Sequence, residues 1–168
     1  MSSERSKETK EKIIAWLKEE AYSPEETSDP NAYFNILAKI GGMGCNVVQN
    51  VKSVDSFIVG TNLVLVPEQL DLLKGMGSEK RKAFFWDLRM SLLKNSELGD
   101  FQIKPTPPND TQSVFISSRK IFYDGLTKGT LEEAIHAVIK AVIMVNWMLQ
   151  QYAGIITPHT YQKPSYST

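Results

Sequence analysis

The sequence predicts an α+β fold, with helices packed on an antiparallel sheet of about five strands in the element order α-βββ-α-ββ-α. Apolar residues recur at helical spacing in some segments and alternate in others, which indicates helices and strands respectively. Short turns join neighbouring strands, whereas a parallel doubly wound sheet would need a helix after nearly every strand. We expect a single domain over residues 1–154 and a flexible tail over residues 155–168, which contain two prolines and several hydroxyl side chains.

The first half of the chain predicts one helix followed by an antiparallel meander. The helix covers about residues 6–22 and ends before Pro24, since proline disfavours helical geometry at the preceding residue. A polar loop is expected over residues 25–31. Three strands are predicted at residues 33–40, 45–52 and 57–66. Gly41 to Gly44 predict a hairpin turn, because glycine adopts positive φ at little cost; they lack the lysine and following helix of a phosphate-binding loop.

The second half predicts helices at both ends of a strand pair. A helical segment begins at Pro67, and Ser78 is expected to cap a second run over residues 79–95. The expected inner face of that run comprises Phe84, Phe85, Leu88, Leu92 and Leu93. Strands follow at residues 101–104 and 113–123. Thr130 and Glu133 predict a capping box that starts the last helix, which continues to about Tyr152 with Gly154 as its C-cap.

Composition excludes several classes of protein. Lys plus Arg and Asp plus Glu both number 19, so the net charge is zero and no nucleic-acid partner is expected. The short basic run at residues 79–82 predicts an isolated surface feature. Cys45 is the single cysteine, which excludes an intrachain disulfide. The longest apolar stretch, residues 137–149, is too short to span a bilayer. We expect a soluble cytoplasmic protein with no membrane partner.

No group of residues predicts catalysis, a metal site or a cofactor site. Glu133 and His136 have a Glu-x-x-His spacing, but a metal would need further ligands, and the other histidine, His159, lies in the expected tail. Cys45 has no histidine at a spacing that indicates a catalytic pair. One alternative stays open: a small-ligand-binding protein or enzyme with a pocket between sheet and helices, to which His136 and Tyr123 would contribute.

The last helix is apolar almost all round in its second half. Its core stripe comprises Ala134, Val138, Val142, Val145 and Leu149. Ile143 and Trp147 lie instead on the line of the polar face, with Met144 close by. Either the first helix or the tail covers these three residues, or another chain does. We predict the second arrangement, since exposed apolar patches mark interaction sites: a non-enzymatic protein-binding domain that forms a homodimer through Ile143, Met144 and Trp147.

The chain also resembles a known family. The segments Tyr33-Phe-Asn-Ile-Leu, Val64-Leu-Val-Pro-Glu-Gln and Thr130-Leu-Glu-Glu-Ala-Ile, together with the element order, are similar to a family of uncharacterised archaeal proteins grouped with the type III secretion chaperone-like fold. The resemblance implies a homodimer that binds partner proteins through apolar grooves and sheet edges and hydrolyses nothing. Type III secretion chaperones are usually acidic, so the neutral charge of this chain departs from them.

Overall fold

Four α-helices and seven strands form the part of the chain that a computed structural model describes, residues 2–107 and 110–153. The helices are α1 (Ser2–Glu19), α2 (Pro67–Gly75), α3 (Ser78–Lys94) and α4 (Lys128–Ala153). The strands are β1 (Glu25–Glu26), β2 (Ala32–Ile40), β3 (Met43–Asn50), β4 (Ser56–Val64), β5 (Leu98–Lys104), β6 (Ser113–Ser118) and β7 (Ile121–Phe122). The predicted α+β class is confirmed, while the expected tail and the C-cap at Gly154 lie outside the described residues.

All strands pair antiparallel in the order β1-β2-β3-β4-β6-β5, and β7 pairs with the start of β4. The β2–β3 hairpin closes with Ile40 opposite Met43. Gly41 and Gly42 form its two-residue turn with φ of 56° and 82°, which confirms the predicted hairpin. Gly99 permits a close approach of β5 to β6, because a Cβ there would lie 2.2 Å from the carbonyl oxygen of Ser118.

Two apolar clusters fill the space between the helices and one face of the sheet. The α1 cluster joins α1, β2, β3, β4 and the first half of α4, with Ile13, Ile36 and Ile135 fully buried. The α3 cluster joins α2, α3, β6 and the second half of α4, with Phe84 and Leu88 buried. Because α4 contributes to both clusters, it is the element that connects the two halves of the core.

The strand boundaries correct three predictions. The expected polar loop contains β1, whose Glu25 pairs with β2 and forms an ion pair with Lys39 at 2.6 Å. β5 begins at Leu98, three residues before its predicted start. The single strand expected over residues 113–123 divides into β6 and β7. At the division the Ser118 hydroxyl donates to the carbonyl of Arg119 and accepts from the backbone N–H of Val59, so a side chain replaces the regular ladder.

The helix boundaries correct four further predictions: both ends of α1, the N-cap of α3 and the start of α4. α1 begins at Ser2 and ends at Glu19, before Ala21, which has a φ of 57° outside the helical region. Gly77, not Ser78, is the N-cap of α3. Thr127 and Thr130 exchange backbone-to-hydroxyl hydrogen bonds of 2.9 and 3.0 Å. α4 therefore begins at Lys128 without help from Glu133, and the predicted Thr130–Glu133 capping box is wrong.

The predicted inner face of α3 is correct for four of its five residues. Phe84, Phe85, Leu88 and Leu92 are buried. Leu93 is 68% exposed, because it lies about 100° around the helix from Leu92 and thus outside the stripe that meets the core.

Candidate functional site

The outer surface of α4 carries a patch of apolar side chains. Trp147 is 61% exposed, Ile143 is half-buried against the α1 cluster, and Met144 is half-buried against the α3 cluster. These three predicted residues line one open depression of about 520 Å³. We call this surface the α4 patch: Lys140, Ile143, Met144, Trp147, Met148 and Gln151. The structure therefore places the predicted contact residues together.

The packing of α4 explains why the patch faces outward. The opposite side of the helix is committed to the core, where Val138, Val145 and Leu149 are at most 3% exposed. Next to the second half of α4 lies α3, which packs beside the patch and not over it. The Phe84 and Tyr152 rings meet edge to face at 5.4 Å, and the Tyr152 hydroxyl donates a hydrogen bond to Asp87. That hydrogen bond raises the pKa of Tyr152 above its usual value.

The polar contacts that link the end of α1 to α4 lie in the first half of α4. Lys128 forms ion pairs with Glu19 and Glu20 at 2.9 and 2.5 Å, and Tyr22 approaches His136 at 3.5 Å between the hydroxyl and Nε2. These contacts join the end of α1 to the start of α4. Of the two intrachain covers that the sequence left open, α1 is thus excluded for Trp147, and the tail lies outside the described residues.

A groove of about 550 Å³ between α3 and α4 extends the patch. Met144 and Met148 line both the groove and the patch, and Met90 of α3 lines the groove. Methionine side chains are flexible and polarisable, which suits surfaces that adapt to a partner. Sequence reasoning missed Met148 and Met90. Met148 could have been found, because it lies one helical turn after Met144.

The polar residues of the alternative prediction do not meet. The Tyr123 hydroxyl donates to the side-chain oxygen of Gln49, a fully buried residue, and lies 3.0 Å from the Ser6 hydroxyl. His136 is exposed and lines an outer cleft of about 490 Å³ with Arg119. Tyr123 thus belongs to a polar network inside the α1 cluster and His136 to the surface. Tyr123 and His136 share no described pocket, while the cleft beside His136 lies between α4 and the strands β6 and β7, with Ser118 and Ile121 in its lining.

Cys45 is fully buried inside the α1 cluster. Burial raises the pKa of its thiol to about 12. The group therefore stays protonated at neutral pH and lacks the thiolate that nucleophilic chemistry requires.

The described residues contain neither a metal-binding group nor a membrane-spanning helix. Across residues 2–107 and 110–153, histidine, cysteine and carboxylate side chains do not gather in groups of three or more that could hold a metal ion. Within the same ranges, every helix is too short or too polar to traverse a bilayer.

The fold and the patch define an α+β protein with helices over one face of an antiparallel sheet and an open apolar surface on its last helix. Residues 9–149 match the model of an uncharacterized conserved protein family, DUF2299, and the chain belongs to that family. The crystal structure of an uncharacterized protein from Methanothermobacter thermautotrophicus is 30% identical and has a TM-score of 0.77, covering 84% of this chain and 96% of its own. None of the curated proteins matches the chain.

These comparisons confirm the expected membership in an uncharacterised conserved family with an archaeal relative of known structure. The more specific likeness to type III secretion chaperones finds no support in either match and stays a prediction.

Proposed function

We propose that this protein is a non-enzymatic protein-docking domain that forms a homodimer through the α4 patch. The observation that carries the proposal is the 61% exposure of Trp147 beside half-buried Ile143 and Met144. Tryptophan and methionine are enriched in the cores of protein interfaces, and a contiguous exposed apolar surface is unfavourable in water unless a partner covers it.

A second copy of the chain fits the patch because the patch is self-complementary. Its residues recur at positions 140, 143, 144, 147, 148 and 151, a spacing that forms one seam along a helix. An antiparallel two-fold axis between residues 145 and 146 would place Met144 of one copy against Trp147 of the other. The same axis would place Lys140 opposite Gln151. Apolar residues then meet apolar ones, and the cation meets a neutral amide in place of a second cation.

The groove between α3 and α4 supplies the area that the patch alone lacks. A stable interface buries about 800 Å² on each partner, which exceeds what six side chains of one helix present. Met90 widens the apolar surface on the α3 side of the groove. We therefore propose that the contact covers α4 and the facing flank of α3.

The helix surface suits docking better than the sheet edge does. β5 is an edge strand, paired with β6 on one side. A register shift between Leu98 and Asp100 interrupts its ladder, and Lys104 ends it. Bulges and charged side chains are features that discourage strand addition. We therefore propose that α4 forms the primary contact. Binding of a partner protein at the sheet edge would be a secondary role, as in a chaperone-like or adaptor protein. We propose a cytoplasmic location for the protein.

The test is the mass in solution of the full-length chain and of Trp147→Glu. We expect the wild-type chain to sediment as a dimer. We expect Trp147→Glu to sediment as a monomer with an unchanged circular dichroism spectrum, because a charge at the centre of an apolar contact cannot be desolvated at acceptable cost. The matched control is Trp86→Glu on α3, since Trp86 is 63% exposed and lies outside the α4 patch.

A monomeric wild-type chain would overturn the proposal, and so would dimers in Trp147→Glu that are as stable as those of Trp86→Glu. Should Trp147→Glu fail to fold, Trp147→Ser repeats the measurement without a buried charge. Loss of folding in the serine variant as well would assign the indole to the core of a single chain and would also overturn the proposal.

A further inference from the structure

The outer side of α3 presents two of the most exposed apolar side chains in the described part of the protein. Trp86 is 63% exposed and Leu93 is 68% exposed. They are seven residues apart and lie within about 20° of one line along the helix. The inner side of α3 is fully occupied, with Phe84 and Leu88 each 1% exposed. The two side chains therefore form a convex apolar ridge, which we call the α3 ridge.

Cationic side chains flank the α3 ridge on both sides. Lys82 and Arg89 line a notch beside Trp86 on one flank. Lys80 and Lys94 line the groove toward α4 on the other flank.

Most of this positive charge is not neutralised by neighbours. Among the described residues, the ion pair at these four positions is Lys82 with Glu79, at 3.3 Å. The other acidic side chain of α3, Asp87, accepts a hydrogen bond from Tyr152 and lies toward the groove. α3 as a whole contains five lysines and arginines against two carboxylates. A chain of zero net charge thus concentrates an excess of cations around one apolar ridge.

We propose that the α3 ridge binds the surface of an anionic membrane, with Trp86 and Leu93 inserted at the headgroup level and the flanking cations against lipid phosphates. Tryptophan and leucine flanked by lysine and arginine are the composition of helices that lie in the membrane interface.

Single-stranded nucleic acid would also meet aromatic and cationic side chains. Bases stack on aromatic rings, however, and the equally exposed Leu93 offers no such stacking surface. Leu93 contributes to membrane insertion through its apolar area. The observations therefore favour the lipid surface, and nucleic-acid binding is an outcome that the test distinguishes.

The inference does not require the homodimer, because Trp86, Leu93, Lys82 and Arg89 lie outside both the α4 patch and the groove. Lys80 and Lys94 line the groove that the proposed dimer contact would cover, so the binding of a dimer would rest on the flank with Lys82 and Arg89. The inference departs from the expectation of no membrane partner. That expectation followed from the lack of an apolar segment long enough to span a bilayer, which does not bear on binding at the membrane surface.

The experiment measures binding of the full chain to vesicles. Vesicles of phosphatidylglycerol and phosphatidylcholine are compared with vesicles of phosphatidylcholine alone, by co-sedimentation and tryptophan fluorescence. Trp16→Phe with Trp147→Phe leaves Trp86 as the single indole, since the chain has three tryptophans. We expect a blue shift and co-sedimentation with the anionic vesicles, weakened by salt, and neither with the neutral vesicles.

Charge reversal supplies the decisive comparison. Lys82→Glu with Arg89→Glu should weaken binding by about ten-fold or more. The matched control, Lys52→Glu with Lys120→Glu, makes the same change in net charge at exposed cations outside α3 and should leave binding within about two-fold.

Four results would overturn the proposal. These are equal losses in the two charge-reversed variants, equal binding to neutral vesicles, retention on single-stranded RNA without binding to vesicles, and a change in oligomeric mass on replacing Trp86 by serine. The last result would assign the ridge to a contact between subunits. A monomeric wild-type chain that still binds anionic vesicles would overturn the homodimer alone.

Discussion

The two halves of α4 differ in what covers their outer side. Both halves bury an apolar inner stripe, with Ile135 in the α1 cluster and Val145 in the α3 cluster. α1 packs beside the first half, and the side chains that remain outside there are polar, as His136 is. No described element covers the outside of the second half, where Trp147 is apolar. The outer surface is therefore polar on the first half of α4 and apolar on the second half, where the proposed dimer contact lies.

The most direct test of this comparison replaces one residue in each half by alanine. Ile135→Ala should lower the free energy of unfolding by about 2–5 kcal/mol, because it empties a fully buried site. Trp147→Ala should lower it by less than about 1 kcal/mol in the dissociated chain, since most of that side chain is already in water. Urea unfolding at two protein concentrations separates the stability of one chain from that of an assembly.

The expected pattern is that Ile135→Ala leaves the association constant unchanged and Trp147→Ala lowers it. At the lowest protein concentration, Trp147→Ala could lower the free energy of unfolding as much as Ile135→Ala does. That result would contradict the distinction between a covered first half and an uncovered second half of α4.

A second prediction concerns the polar network of Gln49, Ser6 and Tyr123 inside the α1 cluster. Gln49 is fully buried; its amide nitrogen donates to Ser6 at 3.2 Å and to the carbonyl of Ser53 at 2.7 Å. Gln49→Leu should lower the free energy of unfolding by about 1–3 kcal/mol, because the Tyr123 hydroxyl and the Ser53 carbonyl lose buried partners. Thermal unfolding measures the loss. Gln112→Leu on the surface is the matched control, and an equal change in both variants would show that the network contributes nothing.

The smallest expected effect is a pH dependence of the stability that the ion pair between Glu20 and Lys128 contributes. The hydrogen bond from Lys128 lowers the pKa of Glu20 below its ordinary 4.5. Because the pKa of Glu20 is lower in the folded state, its carboxylate stabilises the fold above pH 4.5. This stabilisation is lost as the pH falls through the pKa of the folded state. Glu20→Gln should therefore lower the Tm slightly at pH 7 and not at all in strong acid.

Because this ion pair is exposed to solvent, salt should reduce the difference in Tm at pH 7. A difference between Glu20→Gln and the wild-type chain that stays constant from pH 7 into strong acid would contradict the assignment of the effect to this pair.

Sequence reasoning predicted the candidate site more fully than it predicted the surface next to it. The apolar residues on the polar line of α4 identified Ile143, Met144 and Trp147, and the structure places all three in one patch. Sequence reasoning missed the exposure of Leu93 and of Trp86 on α3. Sequence periodicity assigned Leu93 to the inner stripe, and the phase of a helix around its axis is settled by the elements against which it packs.

The sequence by itself determined the element types, the Gly41-Gly42 hairpin, the inner stripe of α4 and the absence of net charge. These follow from local backbone preferences and from the spacing of apolar residues, which act over a few positions. Tertiary structure alone decided that α1 reaches the first half of α4 and not Trp147, that β7 separates from β6, and which side of α3 packs on the core and leaves Trp86 and Leu93 exposed. Each of these depends on contacts between residues far apart in the chain, whose positions relative to one another are fixed by packing.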